Sequence, residues 1–153
     1  MSDEPVEILL VEDNPDDVEL ALYAFQKRNI TNPIRVARDG EEALEAIFGN
    51  SESPRPRVLR PRVILLDLKL PKIDGLEVLR RVRADARTKT IPVVVMTSSR
   101  EERDLVESYR LGVNSYIVKP VDFAQFADVV EQLGLFWAIL NIPPPPATDE
   151  ESR

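Results

Sequence analysis

The chain has 153 residues, 43% of them hydrophobic, with a net charge of −7 and a pI near 4.8. That suffices for one domain with a real core and is too short for two ordinary ones. The acidic balance argues against a nucleic-acid partner, which needs a basic face to neutralise phosphates, and the lack of Cys and His excludes disulfides, thiolate nucleophiles, Ser-His catalysis, phosphohistidine donors and His-metal sites.

The start, Met1-Ser2-Asp3-Glu4-Pro5, is acidic and has no apolar signal region, and no run is apolar enough to span a membrane. A cytoplasmic protein without membrane association is expected. Short runs rich in β-branched residues predict strands at 6–11, 34–37, 63–66, 93–97 and 115–118. Between and after them, amphipathic spacing predicts helices over about 15–28, 40–48, 74–84, 101–111 and 122–140. Pro15 suits a first helical turn, Asp39 suits an N-cap, and Gly112 follows the fourth helix as a C-cap would. This (βα)5 alternation predicts an α/β fold with a doubly wound parallel sheet, helices on both faces and right-handed crossovers.

Two segments depart from the alternation. Residues 50–62 carry four Arg and three Pro and read as a stiff surface connection. Residues 1–142 read as the domain, and 143–153, opening with four Pro and turning acidic, as an extended tail.

The chemistry lies at strand ends. In open parallel sheets ligands bind outside the carboxyl ends of the strands, and Glu12-Asp13, Asp67, Thr97 and Lys119 all fall there. If the strands ending at Val11 and Leu66 are neighbours, Glu12, Asp13 and Asp67 converge. Two unit charges about 4 Å apart repel by roughly 4 kcal/mol at an effective dielectric near 20, so such a trio needs a cation. Mg²⁺ suits an all-oxygen site that keeps some waters. Acids to hold a metal, an aspartate to accept a group, and a hydroxyl and an ammonium to bind its oxygens meet the needs of phosphoryl transfer, where catalysis is positioning plus cationic stabilisation. Asp67 is then the nucleophile that forms an acyl phosphate. Asp13 and Asp67, with Glu12 and the backbone carbonyl of Lys69, hold Mg²⁺, Lys119 neutralises one phosphoryl oxygen, and Thr97 binds another.

These residues sit in the motifs Leu10-Val11-Glu12-Asp13-Asn14, Leu65-Leu66-Asp67-Leu68-Lys69-Leu70-Pro71 with Asp74-Gly75, Val95-Met96-Thr97-Ser98-Ser99 and Tyr116-Ile117-Val118-Lys119-Pro120. With them the chain, from about residue 6 to 140, resembles a response-regulator receiver domain of two-component signalling. The resemblance implies a flavodoxin-like sheet in the order 2-1-3-4-5, a cis peptide between Lys119 and Pro120, and a switch in which the rotamer of Tyr116 follows Thr97. It implies a sensor histidine kinase as partner and a protein that is a phosphoacceptor switch, not an enzyme with outside turnover. It also implies that the side chains of Lys69 and Ser99 lie near the path of a hydrolytic water. Asp13-Asn14-Pro15-Asp16-Asp17, Leu70-Pro71-Lys72-Ile73-Asp74-Gly75 and the late Phe136-Trp137 resemble most the stand-alone regulators of bacterial phytochrome kinases.

An aspartate-nucleophile phosphatase or phosphotransferase of the haloacid-dehalogenase type is the alternative. It also joins Asp, Mg²⁺ and Lys, but needs a second acid two residues after its nucleophile, where Lys69 stands here. Gly40, Gly49, Gly75, Gly112 and Gly134 assemble no nucleotide-binding loop. After Lys119 only 34 residues follow, too few for a DNA-binding domain, so output through protein contacts is expected.

The last helix carries more than one apolar stripe. Phe123, Phe126, Val130, Leu133 and Trp137 form one suited to covering the sheet, and Val129, Phe136 and Leu140 lie on an adjoining face. A two-fold homodimer through Val129, Leu133, Phe136, Trp137 and Leu140 is expected, since contiguous apolar surface usually marks a partner.

Overall fold

Alternate residues of the apolar strands feed two different cores, which is why the strands read as unbroken hydrophobic runs. A computed structural model describes residues 8–27, 33–50, 52, 58–98, 111–113 and 115–132. Its strands are β1 (Ile8–Val11), β2 (Ile34–Ala37), β3 (Val63–Asp67), β4 (Val93–Thr97) and β5 (Ser115–Val118), and its helices α1 (Pro15–Lys27), α2 (Gly40–Phe48), α3 (Gly75–Ala84) and α4 (Phe123–Gln132). Every strand pairing is parallel and the order is β2-β1-β3-β4-β5. On one face Leu9, Val11, Ile64, Leu66, Val93 and Val95 pack with α2 and α3 through Leu44, Ile47, Val78 and Leu79. On the other, Ile8, Leu10, Val63, Leu65, Val94 and Met96 pack with α1 and α4 through Val18, Phe25 and Phe126, where the rings of Phe25 and Phe126 lie 4.5 Å apart.

Helix starts follow from short polar side chains. Asn14 Oδ1 accepts the Asp16 amide at 2.9 Å just before Pro15, Asp39 accepts from Glu42 N, and Asp74 accepts from Glu77 N, each satisfying an amide the helix leaves open. Asp122 and Gln125 form a reciprocal pair, each side chain accepting the other's amide at 2.9 and 3.2 Å, as a capping box does. The third helix therefore begins one residue later than the spacing alone indicates, because Asp74 is its cap.

Arg83 holds the lower part of the fold together. Its guanidinium donates to the carbonyls of Lys89 at 3.0 Å, Ile91 at 2.8 Å and Gly112 at 2.8 and 3.3 Å, tying α3 to the approach to β4 and to the segment before β5. Gly112 has φ +70, a conformation L side chains rarely adopt, and a Cβ there would stand 3.3 Å from Arg83 Nε.

Part of the sequence reading lies outside the described residues: residues 101–110 of the helix expected over 101–111, Ser99, the far half of the last helix with Leu133, Phe136, Trp137 and Leu140, and the tail from 143. One assignment is corrected. Val129, expected on an outward dimer face, is 4% exposed and belongs to the core beside Phe126. Phe126 and Val129 are three apart on the helix, so both face the sheet, and the inward arc is wider than one narrow stripe.

Candidate functional site

The register aligns the strand ends. Val11 pairs with Leu66, Asp67 with Met96, and Thr97 with Val118, so the residues that follow or close these strands meet at one edge of the sheet. Glu12 N donates to Ala37 O at 2.9 Å and Lys119 N to Thr97 O at 2.9 Å, extending the ladder one step past β1 and β5. The Lys119–Pro120 peptide is cis.

Glu12, Asp67 and Thr97 are buried, while Asp13 is exposed. Carboxylate oxygens of Glu12, Asp13 and Asp67 lie within 4.8 Å of one another. The Lys119 ammonium enters this acid cluster, 2.9 Å from Asp67 Oδ2, 2.7 Å from Glu12 Oε1 and 3.3 Å from Asp17 Oδ2. The contact to Glu12 Oε1 is an ion pair outside hydrogen-bond geometry. The other oxygens have backbone partners: Asn14 N donates to Glu12 Oε2 at 3.1 Å, and Lys69 N to Asp67 Oδ1 at 3.2 Å.

Burial pushes the Glu12 carboxyl up to about 7, and the nearby Asp67 charge adds to this, against the opposing pull of Lys119 and of the Asn14 amide. Burial would lower the Lys119 pKa, but its close contacts with the Glu12 and Asp67 carboxylates outweigh that, and the net shift is upward. The ammonium thus stays charged and offsets part of the repulsion among the carboxylates.

The donor set fits a hard divalent cation. Three carboxylates converge, the chain contains no Cys or His, and Glu12 Oε1 is a buried acceptor without a directed hydrogen bond; oxygen donors of this kind suit Mg²⁺, Ca²⁺ or Mn²⁺. Beside the cluster lies an open cavity of about 520 Å³, lined in part by Asp13, Lys69, Leu70 and Leu76.

The structure therefore brings Glu12, Asp13, Asp67 and Lys119 together and puts Thr97 at the adjoining strand end. Tyr116 is half-buried against the core on the α2 and α3 side. Two features escaped the sequence reading. Asp17 joins the site through Lys119; an acid four positions after Asp13, at the start of a helix, was the available signal. The close approach at Gly75, a residue of the motif, is the other, since a Cβ there would stand 2.3 Å from the Asp67 carbonyl oxygen.

The response regulator receiver domain family matches residues 8–131. The solved bacteriophytochrome response regulator RtBRR is 50% identical, with a TM-score of 0.79, covering 93% of this chain and 86% of that one. The bacteriophytochrome response regulator AtBRR is 53% identical, with a TM-score of 0.76, covering 91% and 99%. Response regulator Rcp1 of Synechocystis sp. is 39% identical over 140 residues, 90% of this chain and 94% of its own, and a solved form of Rcp1, 37% identical with a TM-score of 0.64 over 94% and 100% of the two chains, is Mn²⁺-bound. With a family match across most of its length and its acids and lysine gathered at one sheet edge, this chain belongs to the response regulator receiver domain family.

Proposed function

We propose that this protein is a phosphorylation-dependent switch in which Asp67 takes a phosphoryl group from a sensor histidine kinase of the phytochrome type in a Mg²⁺-dependent reaction. The observation that carries this reading is the 2.9 Å contact between Lys119 Nζ and Asp67 Oδ2 inside an acid cluster that fits a divalent cation.

In the proposed reaction an Asp67 carboxylate oxygen attacks phosphorus, the P–N bond of the donor phosphohistidine breaks with its electron pair going to the ring nitrogen, and the imidazole leaves neutral, keeping the proton already on its other nitrogen. The Asp67 side chain becomes an acyl phosphate. Lys119 is already at the carboxylate and can follow the new charge onto a phosphoryl oxygen, and the Thr97 hydroxyl binds a second one. The Lys69 amide holds Asp67 Oδ1 at 3.2 Å and so fixes the rotamer of the nucleophile. Glu12, Asp13, Asp67 and the Lys69 carbonyl would hold Mg²⁺, whose charge offsets that of the phosphoryl group. Tyr116 would report the state of Thr97 by a rotamer change.

The phytochrome-type donor is supported by the likeness to RtBRR and AtBRR, the metal by the Mn²⁺-bound form of Rcp1. Output through protein contacts, a cytoplasmic location and a two-fold homodimer through Leu133, Phe136, Trp137 and Leu140, with 143–153 as a tail beyond the receiver, complete the proposal. Self-phosphorylation and self-dephosphorylation are its only proposed chemistry.

The test is intact-mass and radiolabel measurement after acetyl phosphate with Mg²⁺, and phosphotransfer from a panel of labelled kinases. Wild type should gain one phosphoryl group and Asp67→Asn none, with the phytochrome-type kinase the fastest donor. Labelling of Asp67→Asn at the wild-type rate moves the acceptor elsewhere, and equal rates from unrelated kinases refute the phytochrome assignment. For the dimer, Phe136→Ala with Trp137→Ala should give a monomer by light scattering that still labels at Asp67; a monomeric wild type, with and without phosphorylation, rules the dimer out.

A further inference from the structure

Asp17 is the acid in the site that the chemistry above leaves unused. It lies in the first turn of α1 with its side chain 27% exposed, and its Oδ2 accepts from Lys119 Nζ at 3.3 Å across 102 positions of chain. It stands outside the trio whose oxygens converge. The ammonium is therefore held by two kinds of acid: Glu12 and Asp67, whose oxygens a metal ion needs, and Asp17, whose oxygens it does not.

We propose that Asp17 is a positioning residue that retains Lys119 beside Asp67 when Glu12 and Asp67 turn their oxygens to a divalent cation. The inference rests on the metal-dependent phosphoacceptor reading above. A divalent cation in the trio removes most of the negative charge that draws Lys119 inward and repels the ammonium directly. Without a further anion beside it, Lys119 would swing toward solvent just when a phosphoryl oxygen has to be met. Asp17 supplies that anion, and its partial exposure lets it do so without being a second buried charge. A lysine suits such sharing, since its three donors sit on one compact charge at the end of a flexible stem.

A first-turn acid also favours the helix dipole. That role affects the stability of α1 and does not depend on Lys119, so a double-mutant cycle separates the two. Mg²⁺ binding to the full chain is measured by titration calorimetry for wild type, Asp17→Asn, Lys119→Met and the double variant.

Asp17→Asn should weaken Mg²⁺ binding roughly fivefold, a coupling of the size seen between residues of one charged network, because Lys119 is then left wholly to Glu12 and Asp67 and competes harder for their oxygens. In the Lys119→Met background the same substitution should change affinity by less than about twofold. At saturating Mg²⁺, labelling of Asp17→Asn by acetyl phosphate should remain slower than wild type, and Asp17→Glu should restore part of the rate. Equal losses of affinity in both backgrounds overturn the proposal, since Asp17 would then act on the cation as a remote charge. Unchanged affinity on Asp17→Asn in the chain that retains Lys119 overturns it as well. A wild type that binds no Mg²⁺ would instead remove the metal-dependent reading, and this inference with it.

Discussion

A Cβ on Gly75 would stand 2.3 Å from the carbonyl oxygen of Asp67 and 2.6 Å from the Leu68 α-carbon. The first residue of α3 thus lies against the backbone that carries the proposed nucleophile, and Gly75 N donates to Leu68 O at 2.9 Å to hold the two together. The requirement at this position is space; Gly75 is not among the residues with positive φ.

Gly75→Ala should therefore destabilise the protein. The overpacking is against main chain, which cannot move aside as a flexible side chain can, and such strain costs about 1–3 kcal/mol. The better helix propensity of Ala, worth at most about 1 kcal/mol, offsets only part of it. A net loss of about 1–2 kcal/mol in urea unfolding is expected, with slower acetyl phosphate labelling because the turn bearing Asp67 shifts. Unchanged stability would mean the approach is looser than described.

Mg²⁺ should raise the melting temperature, since it binds the native cluster and not the unfolded chain; at about 100 times the Kd the gain is about 2.7 kcal/mol. Asp13→Asn should abolish that gain while stabilising the metal-free protein by about 1 kcal/mol, through relief of like-charge repulsion. The check is a pair of thermal melts, with Mg²⁺ and with chelator. A melting temperature indifferent to millimolar Mg²⁺ in wild type contradicts the metal assignment.

Glu12 gives a pH dependence with a definite sign. Its folded pKa, about 7, lies above its ordinary 4.5, so between those values the folded state holds a proton that the unfolded state has lost. Its contribution to metal-free stability is fully present below about 4.5 and is lost as pH rises to about 7, by up to roughly 3 kcal/mol. Other carboxylates titrate at the acid end, so the quantity to measure is the stability difference between wild type and Glu12→Gln across this window. Wild type should lose stability relative to the variant as pH rises; a flat difference would place the Glu12 pKa near its ordinary value.

Arg83→Met should lower stability by about 2–4 kcal/mol, because a charged donor is removed from the Lys89, Ile91 and Gly112 carbonyls, and hydrogen bonds to charged groups are each worth about 1.5–3 kcal/mol. Arg83→Lys should recover only part of this, since a single ammonium cannot span carbonyls on both sides as a planar fork does. Full recovery by Lys would show that charge alone is needed. Denaturant unfolding of the three proteins decides it.

Much of the molecule follows from local sequence. The strand runs at 63–66 and 93–97 are apolar enough to be buried on both faces, Asp39 has the short carboxylate an N-cap needs, and parallel winding places the ends of β1, β3, β4 and β5 on one edge, so Glu12, Asp13, Asp67, Thr97 and Lys119 were legible as a set. These depend on periodicity, caps and connection rules, which act over a few residues or follow from chain handedness.

What only the tertiary structure decided depends on how elements pack. Asp17 and Lys119 are 102 positions apart, and no spacing rule says that a first-turn side chain of α1 reaches an ammonium after β5. Spacing alone puts Val129 on an outward face because its helix has apolar residues at several adjoining angles, and only docking on the sheet shows which of them turn inward. The space at Gly75 and the carbonyls gathered by Arg83 belong to the same class. Each is a contact set by the approach of one packed element to another, and in a close-packed interior that approach depends on every neighbouring side chain at once.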